Sequence, residues 1–160
     1  MSNVKTAYGS NNQTFNCSLA SLANSAARQS DAISNAVNDY IDILVQLKVK
    51  SGASGTSAAG FVCIYAVGSA DGGTSYGESA GASDAGITLT VPSNAKVIGS
   101  MNIVANGVSY ISNPMSVAAA FGGVLPDHVV IIVENQSGHA LDTTEGNHAK
   151  FYQGVYATVA

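Results

Sequence analysis

The patterning of the chain predicts an all-β fold: an antiparallel β-sandwich, jelly-roll-like, of about eight strands. Three observations carry it. Residues 41–50 (IDILVQLKVK) alternate strictly, with Ile41, Ile43, Val45, Leu47 and Val49 on one face and Asp42, Gln46, Lys48 and Lys50 sharing the other with Leu44. This period of two marks a half-buried strand. Two further runs, FVCIYAV at 61–67 and HVVIIVEN at 128–135, are apolar on both faces and read as central strands. Turn-rich segments separate these and other short runs at regular intervals, and no helical period of ten residues or more stands out.

Taken in chain order, residues 1–14 are polar and aperiodic, which predicts an extended N-terminal arm ahead of a single domain at 15–160. The Ala-rich stretch 18–37 is interrupted by Ser and Asn, which favour local backbone bonds over helix, so one or two edge strands with at most a helical turn are expected. After the strand at 41–50, KSGASGTSAAG supplies a glycine-rich connection to the strand at 61–67. Residues 68–86 form a long polar loop with one aromatic, Tyr76. A strand at 87–91 ends at Pro92, and one at 97–105 leads into Ala-Asn-Gly, which suits a type I′ hairpin turn to a return strand at 108–111. Strands at 115–121, 128–135 and 149–159 complete the count.

Composition narrows the function. The 160 residues suit one domain. Apolar residues make up 46% of the chain, but charged ones only 10%, against roughly 25% in an average soluble domain. Interface centres are depleted in charge, so this scarcity suits a surface covered by neighbours. The net charge of -4 and six scattered cations (Lys5, Arg28, Lys48, Lys50, Lys96 and Lys150) leave no basic stripe to engage phosphates, which excludes nucleic acid as a partner. No apolar run approaches the ~18 residues of a membrane span, and the N-terminus lacks the basic-then-apolar pattern of a secretory signal. Synthesis in the cytosol is expected.

Chemistry-bearing residues do not converge. Cys17 and Cys63 lie far apart, and Cys63 sits in an apolar strand as a small hydrophobe. His128, His139 and His148 lack the short spacing that anchors a zinc site. Asp71, Glu78 and Asp84 share the 68–86 loop without the alternation of a calcium loop. There is no G-x-S-x-G elbow and no tryptophan to stack on sugars. The expectation is a non-enzyme without cofactor or metal. Long polar segments are the candidate contact regions: the arm and its junction (Tyr8, Phe15), the 68–86 loop (Asp71, Tyr76, Asp84) and the 142–150 loop (Asp142, Glu145, His148).

The segments AARQS, YIDILVQLKVKSG, ADGGTSY, SVAAAFGGVLP, VVIIVENQSG and TEGNHAKFYQGV, spread over residues 21–159, resemble those of small virion structural proteins of tailed bacteriophages. The resemblance implies a jelly-roll-type sandwich made in the host bacterial cytoplasm and assembled into the virion. It points foremost to a capsid decoration or cement protein, whose partners would be the major capsid protein and copies of itself in a homotrimer. A tail-side receptor-binding, tail-tip or neck adhesion protein is the alternative, followed by a carbohydrate-binding module.

Overall fold

The computed structural model describes residues 3–91 and 93–159; Pro92, expected to stop a strand, and Met1 and Ser2 of the expected arm lie outside them. Twelve strands follow in chain order: β1 (Val4–Tyr8), β2 (Gln13–Thr14), β3 (Ala27–Gln29), β4 (Ile33–Ser34), β5 (Asp42–Lys50), β6 (Phe61–Ser69), β7 (Ala85–Ile87), β8 (Lys96–Asn102), β9 (Ser109–Ile111), β10 (Met115–Ser116), β11 (His128–Gln136) and β12 (Ala149–Val159). One helical turn, α1 (Val117–Ala120), lies between β10 and β11. The strands make two six-stranded antiparallel sheets. The first runs β1-β12-β5-β10, with β2 also on β12 and β9 on β5; the second runs β7-β3-β11-β6-β8, with β4 also on β11. The all-β sandwich expected from the sequence is therefore the fold.

The alternation in β5 does what its pattern dictates. Ile43, Val45, Leu47 and Val49 are fully buried between the sheets, against Val62, Ile64 and Ala66 of β6 and Val129, Ile131 and Val133 of β11. Ile41 precedes the strand and stays exposed. β6 and β11 pair along nine residues, from His128 opposite Ser69 to Gln136 opposite Phe61. Both are apolar on their outer face too. There Val67, Val130 and Ile132 form a second cluster with Ala27, Tyr76, Ala80 and Ala95, so the segments around Tyr76, Ala80 and Ala95 fold over the outside of this sheet as a cover.

Several elements differ from the sequence reading, each for a local reason. Residues 115–121 are two strand residues followed by α1, because the Ser116 hydroxyl accepts the Ala119 N–H at 3.1 Å and so caps a helical turn. The Ala-Asn-Gly turn is no hairpin: β8 pairs with β6 in one sheet and β9 with β5 in the other. Its backbone is held across the sandwich instead. Gly107 N–H donates to Gly52 O (2.7 Å), and the Ser51 hydroxyl donates to Ala105 O (2.6 Å). Of the strand expected at 87–91 only Ile87 is in a strand, as the last residue of β7; residues 88–91 are irregular. Within residues 1–14, β1 pairs with β12 from Val4 opposite Val159 to Tyr8 opposite Val155, and β2 pairs with the same strand at Phe151 and Tyr152.

Asn135, which opens an N-x-S triplet, is fully buried at the end of β11. Its amide donates to Leu22 O and His139 O, both at 2.8 Å, and its side-chain carbonyl accepts the Ser137 N–H at 3.0 Å. The loop through Leu22 and the turn at Ser137–His139 are thus closed by one side chain. An Asn135→Leu substitution keeps the volume but leaves the buried Ser137 N–H without its acceptor and removes one of the two donors to Leu22 O and to His139 O, so a loss of about 2 kcal/mol is expected in chemical denaturation. A shift of the midpoint equivalent to less than about 0.5 kcal/mol, the range of ordinary surface changes, would contradict this role.

Candidate interaction surfaces

The carboxylates, scarce as they are, mostly turn inward onto loop backbone. Glu145 accepts the Leu19 and Ala20 N–H groups (2.8 and 2.7 Å) on one oxygen and pairs with Lys150 on the other. Asp84 accepts the Ser18 N–H (3.1 Å) and hydroxyl (2.5 Å), and also pairs with Arg28 at 2.6 Å. Asp31 in turn accepts the Asp84 N–H at 2.7 Å. Asp142 takes the Thr144 N–H (2.9 Å), the Asn147 amide (2.8 Å) and Lys50 (3.1 Å). Asp71 closes its own turn on the Thr74 and Ser75 N–H groups (3.1 and 2.9 Å). Glu78 ties the Thr90 N–H (2.8 Å) and the Asn94 N–H into the cover loop. Asp42 holds the Ala118 N–H at the start of α1 (2.8 Å). Seven of the ten acids, Asp31, Asp42, Asp71, Glu78, Asp84, Asp142 and Glu145, therefore serve as loop staples. Three of the six cations, Arg28, Lys50 and Lys150, are paired into the same groups.

These contacts set the acidities. Hydrogen bonds from the Ser69 hydroxyl and from Ser75 hold Asp71 well below the usual carboxylate range, and the Asn147 amide with the Thr144 N–H does the same for Asp142. The Thr90 N–H brings Glu78 down to about 2. For Asp84 and Glu145 burial pushes upward, but hydrogen bonds from Arg28 and Ser18 in the one case, and from Lys150 and Ala20 in the other, outweigh it and both lie low.

The eight residues singled out from the sequence divide sharply. Phe15, Tyr76 and His148 are buried within the fold and present little side chain to a partner. Phe15 belongs to the central core and Tyr76 to the second cluster; the Tyr76 hydroxyl has no hydrogen-bond partner among the described residues. The His148 ring lies between Lys50 N–H (3.3 Å) and Asp142 O (3.1 Å). Asp71, Asp84, Asp142 and Glu145 are the staples described above. Only Tyr8, 60% exposed on β1, offers a large free side chain. Burial pushes the Cys17 thiol up to about 12 and raises Cys63, so both are poor nucleophiles at neutral pH. Among the described residues no three His, Cys, Asp or Glu side chains are placed to hold a metal.

Two features of the surface remain. An open groove of about 630 Å³ lies on the outside of the second sheet, lined by Tyr65, Glu134 and Gln136 on its strands and by Leu89, Thr90 and Ser93 of the cover loop. Glu134 accepts the Tyr65 hydroxyl (2.8 Å) and the Gln136 amide (2.9 Å). Only the register, which sets Tyr65 opposite Ile132, brings it beside Glu134. The second feature is the end of the first sheet, where Val4, Tyr8, Ile41 and Val159 are exposed around β1 and the last residues of β12. No protein-family model matches the chain, and no curated protein matches it in sequence.

Asp71, Glu78, Asp84, Asp142 and Glu145 lie below the ordinary value near 4, so their contribution is complete above it and is lost as pH falls through the depressed values. The thermal midpoint is expected to hold from about pH 7 to 5 and to drop between about 4 and 2. A midpoint indifferent to that descent would contradict the stapling.

Proposed function

We propose that the protein is a non-enzymatic structural component of a bacteriophage virion, a decoration or cement protein that binds the head shell. One observation supports the reading most: most of the carboxylates and half of the cations are engaged in holding the fold's own loops. The exterior that results is rich in Ser, Asn, Thr and Ala, with exposed Val, Ile and Tyr side chains, and it suits docking on a neighbour at little desolvation cost. The inert thiols fit an assembly role. The resemblance of its sequence segments to small virion proteins supplies the particle. Purified protein should co-sediment with DNA-free heads in many copies per particle and raise their disruption temperature. Protein that leaves heads untouched but adsorbs to host cells and blocks infection would overturn the head assignment in favour of the tail.

The groove at Tyr65 favours a second reading, a carbohydrate-binding module. A ring, a carboxylate, a carboxamide and the Thr90 and Ser93 side chains meet there in a concave site that suits a neutral polyhydroxylated ligand. Titration with a panel of neutral oligosaccharides should then shift amide resonances of β6 and β11, and Tyr65→Ala should abolish the shifts. Unchanged spectra across the panel dispose of this reading.

A further inference from the structure

We infer that the exposed edge of β1 is a self-association site, at which two copies of this chain pair their first strands antiparallel about a twofold axis at Thr6. This stands independently of the particle reading.

The observations begin with hydrogen-bond direction. Gly9 N–H donates to Gly154 O at 2.8 Å, and in an antiparallel ladder bonded and non-bonded pairs alternate. Ala7 opposite Tyr156 and Lys5 opposite Thr158 are then the bonded pairs. The N–H and C=O groups of Val4, Thr6 and Tyr8 point away from β12. β1 is the last strand of its sheet, so among the described residues nothing pairs with that side. Beyond Val155, β12 has left β5 as well, whose register ends at Asp42 opposite Val155. The terminal ribbon is thus two strands wide, and two-stranded ribbons are marginal in water.

Natural edge strands are normally blunted by proline, bulges or inward-pointing charge. This edge carries none of the first two. Its one charge is Lys5.

The occupant follows from the strand's own register. Pairing VKTAY with itself antiparallel about its central residue sets Thr6 opposite Thr6, Val4 opposite Tyr8 and Lys5 opposite Ala7. The only cation faces an alanine, so the guard that would repel a shifted register is neutral in this one. The Val–Tyr pairs are the β-branched–aromatic combination that stabilises cross-strand contacts, and they occur twice by symmetry. Val4, Tyr8 and Val159 are 73%, 60% and 72% exposed in one chain. Val4, Thr6 and Tyr8 lie on one face with Val155, Ala157 and Val159, so the dimer gathers these side chains from both copies into one strip. An isologous contact of this kind closes at two subunits. That is a different closure from the homotrimer expected from the sequence resemblance.

Thr6 also supplies the test. Proline is tolerated on an edge strand whose N–H faces outward, so Thr6→Pro removes one inter-chain donor and no bond to β12. In sedimentation equilibrium across a concentration series, wild type should rise from the 16.1 kDa monomer toward twice that mass. Thr6→Pro should weaken association at least tenfold with a thermal midpoint close to wild type, while Thr6→Ala associates normally. Under mild oxidation Thr6→Cys should give a covalent dimer, since symmetric partners across the axis fall within disulfide reach, and Lys5→Cys should not. Wild type that stays monomeric at every concentration overturns the inference. So does a Thr6→Pro variant that associates like wild type, a Thr6→Cys variant that fails to cross-link, or a stoichiometry of three.

Discussion

The ladder between β6 and β11 is the constraint from which the rest follows. Nine residues pair along it, and both strands carry large apolar side chains on each face. The inner face is covered by β5 in the ordinary manner of a sandwich. The outer face would expose Val67, Val130 and Ile132 to water unless something lay over them. The chain meets that need with the largely irregular segments on either side of β7, which bring Tyr76, Ala80 and Ala95 onto the sheet. Irregular backbone cannot satisfy its own N–H groups, and the staples answer that shortage: Asp71, Glu78 and Asp84 each hold a part of the cover or fasten it to the loop at Ser18.

Charge scarcity acquires a physical meaning in this light. A carboxylate that accepts two or three backbone N–H bonds stabilises a loop without a regular ladder, and it gives up part of its hydration to do so. Glu145 illustrates both effects, since it closes the Leu19–Ala20 turn while neutralising Lys150. With most carboxylates so engaged, the outer surface depends on Ser, Thr, Asn and backbone for its polarity. Such a surface loses less on desolvation than a charged one.

Much of the fold was legible because it rests on periodicity. Ile43, Val45, Leu47 and Val49 announced β5, and the doubly apolar runs announced β6 and β11. The polar character of residues 68–86 was equally plain, yet it pointed to a solvated loop where Tyr76 and Ala80 are buried. The short strands β3 and β4 lie in the stretch 18–37, where one or two edge strands are expected, but two or three residues carry no period to set their bounds; pairing with β11 sets them, and β3 has β7 on its other side. Ala-Asn-Gly carried a real turn signal, but local sequence cannot say whether the strands on either side share a sheet. The staples were least visible of all. Glu145 and Leu19 lie far apart in the chain, and nothing local to either names the other.

Ionised carboxylates hold the loops that cover the sandwich. Carbon-detected NMR titration of the side-chain carboxyl groups tests this directly. Asp71, Glu78, Asp84, Asp142 and Glu145 are expected to remain ionised well below the ordinary value near 4. If all five instead protonate together near 4, their hydrogen bonds to the loops contribute nothing, and the account fails.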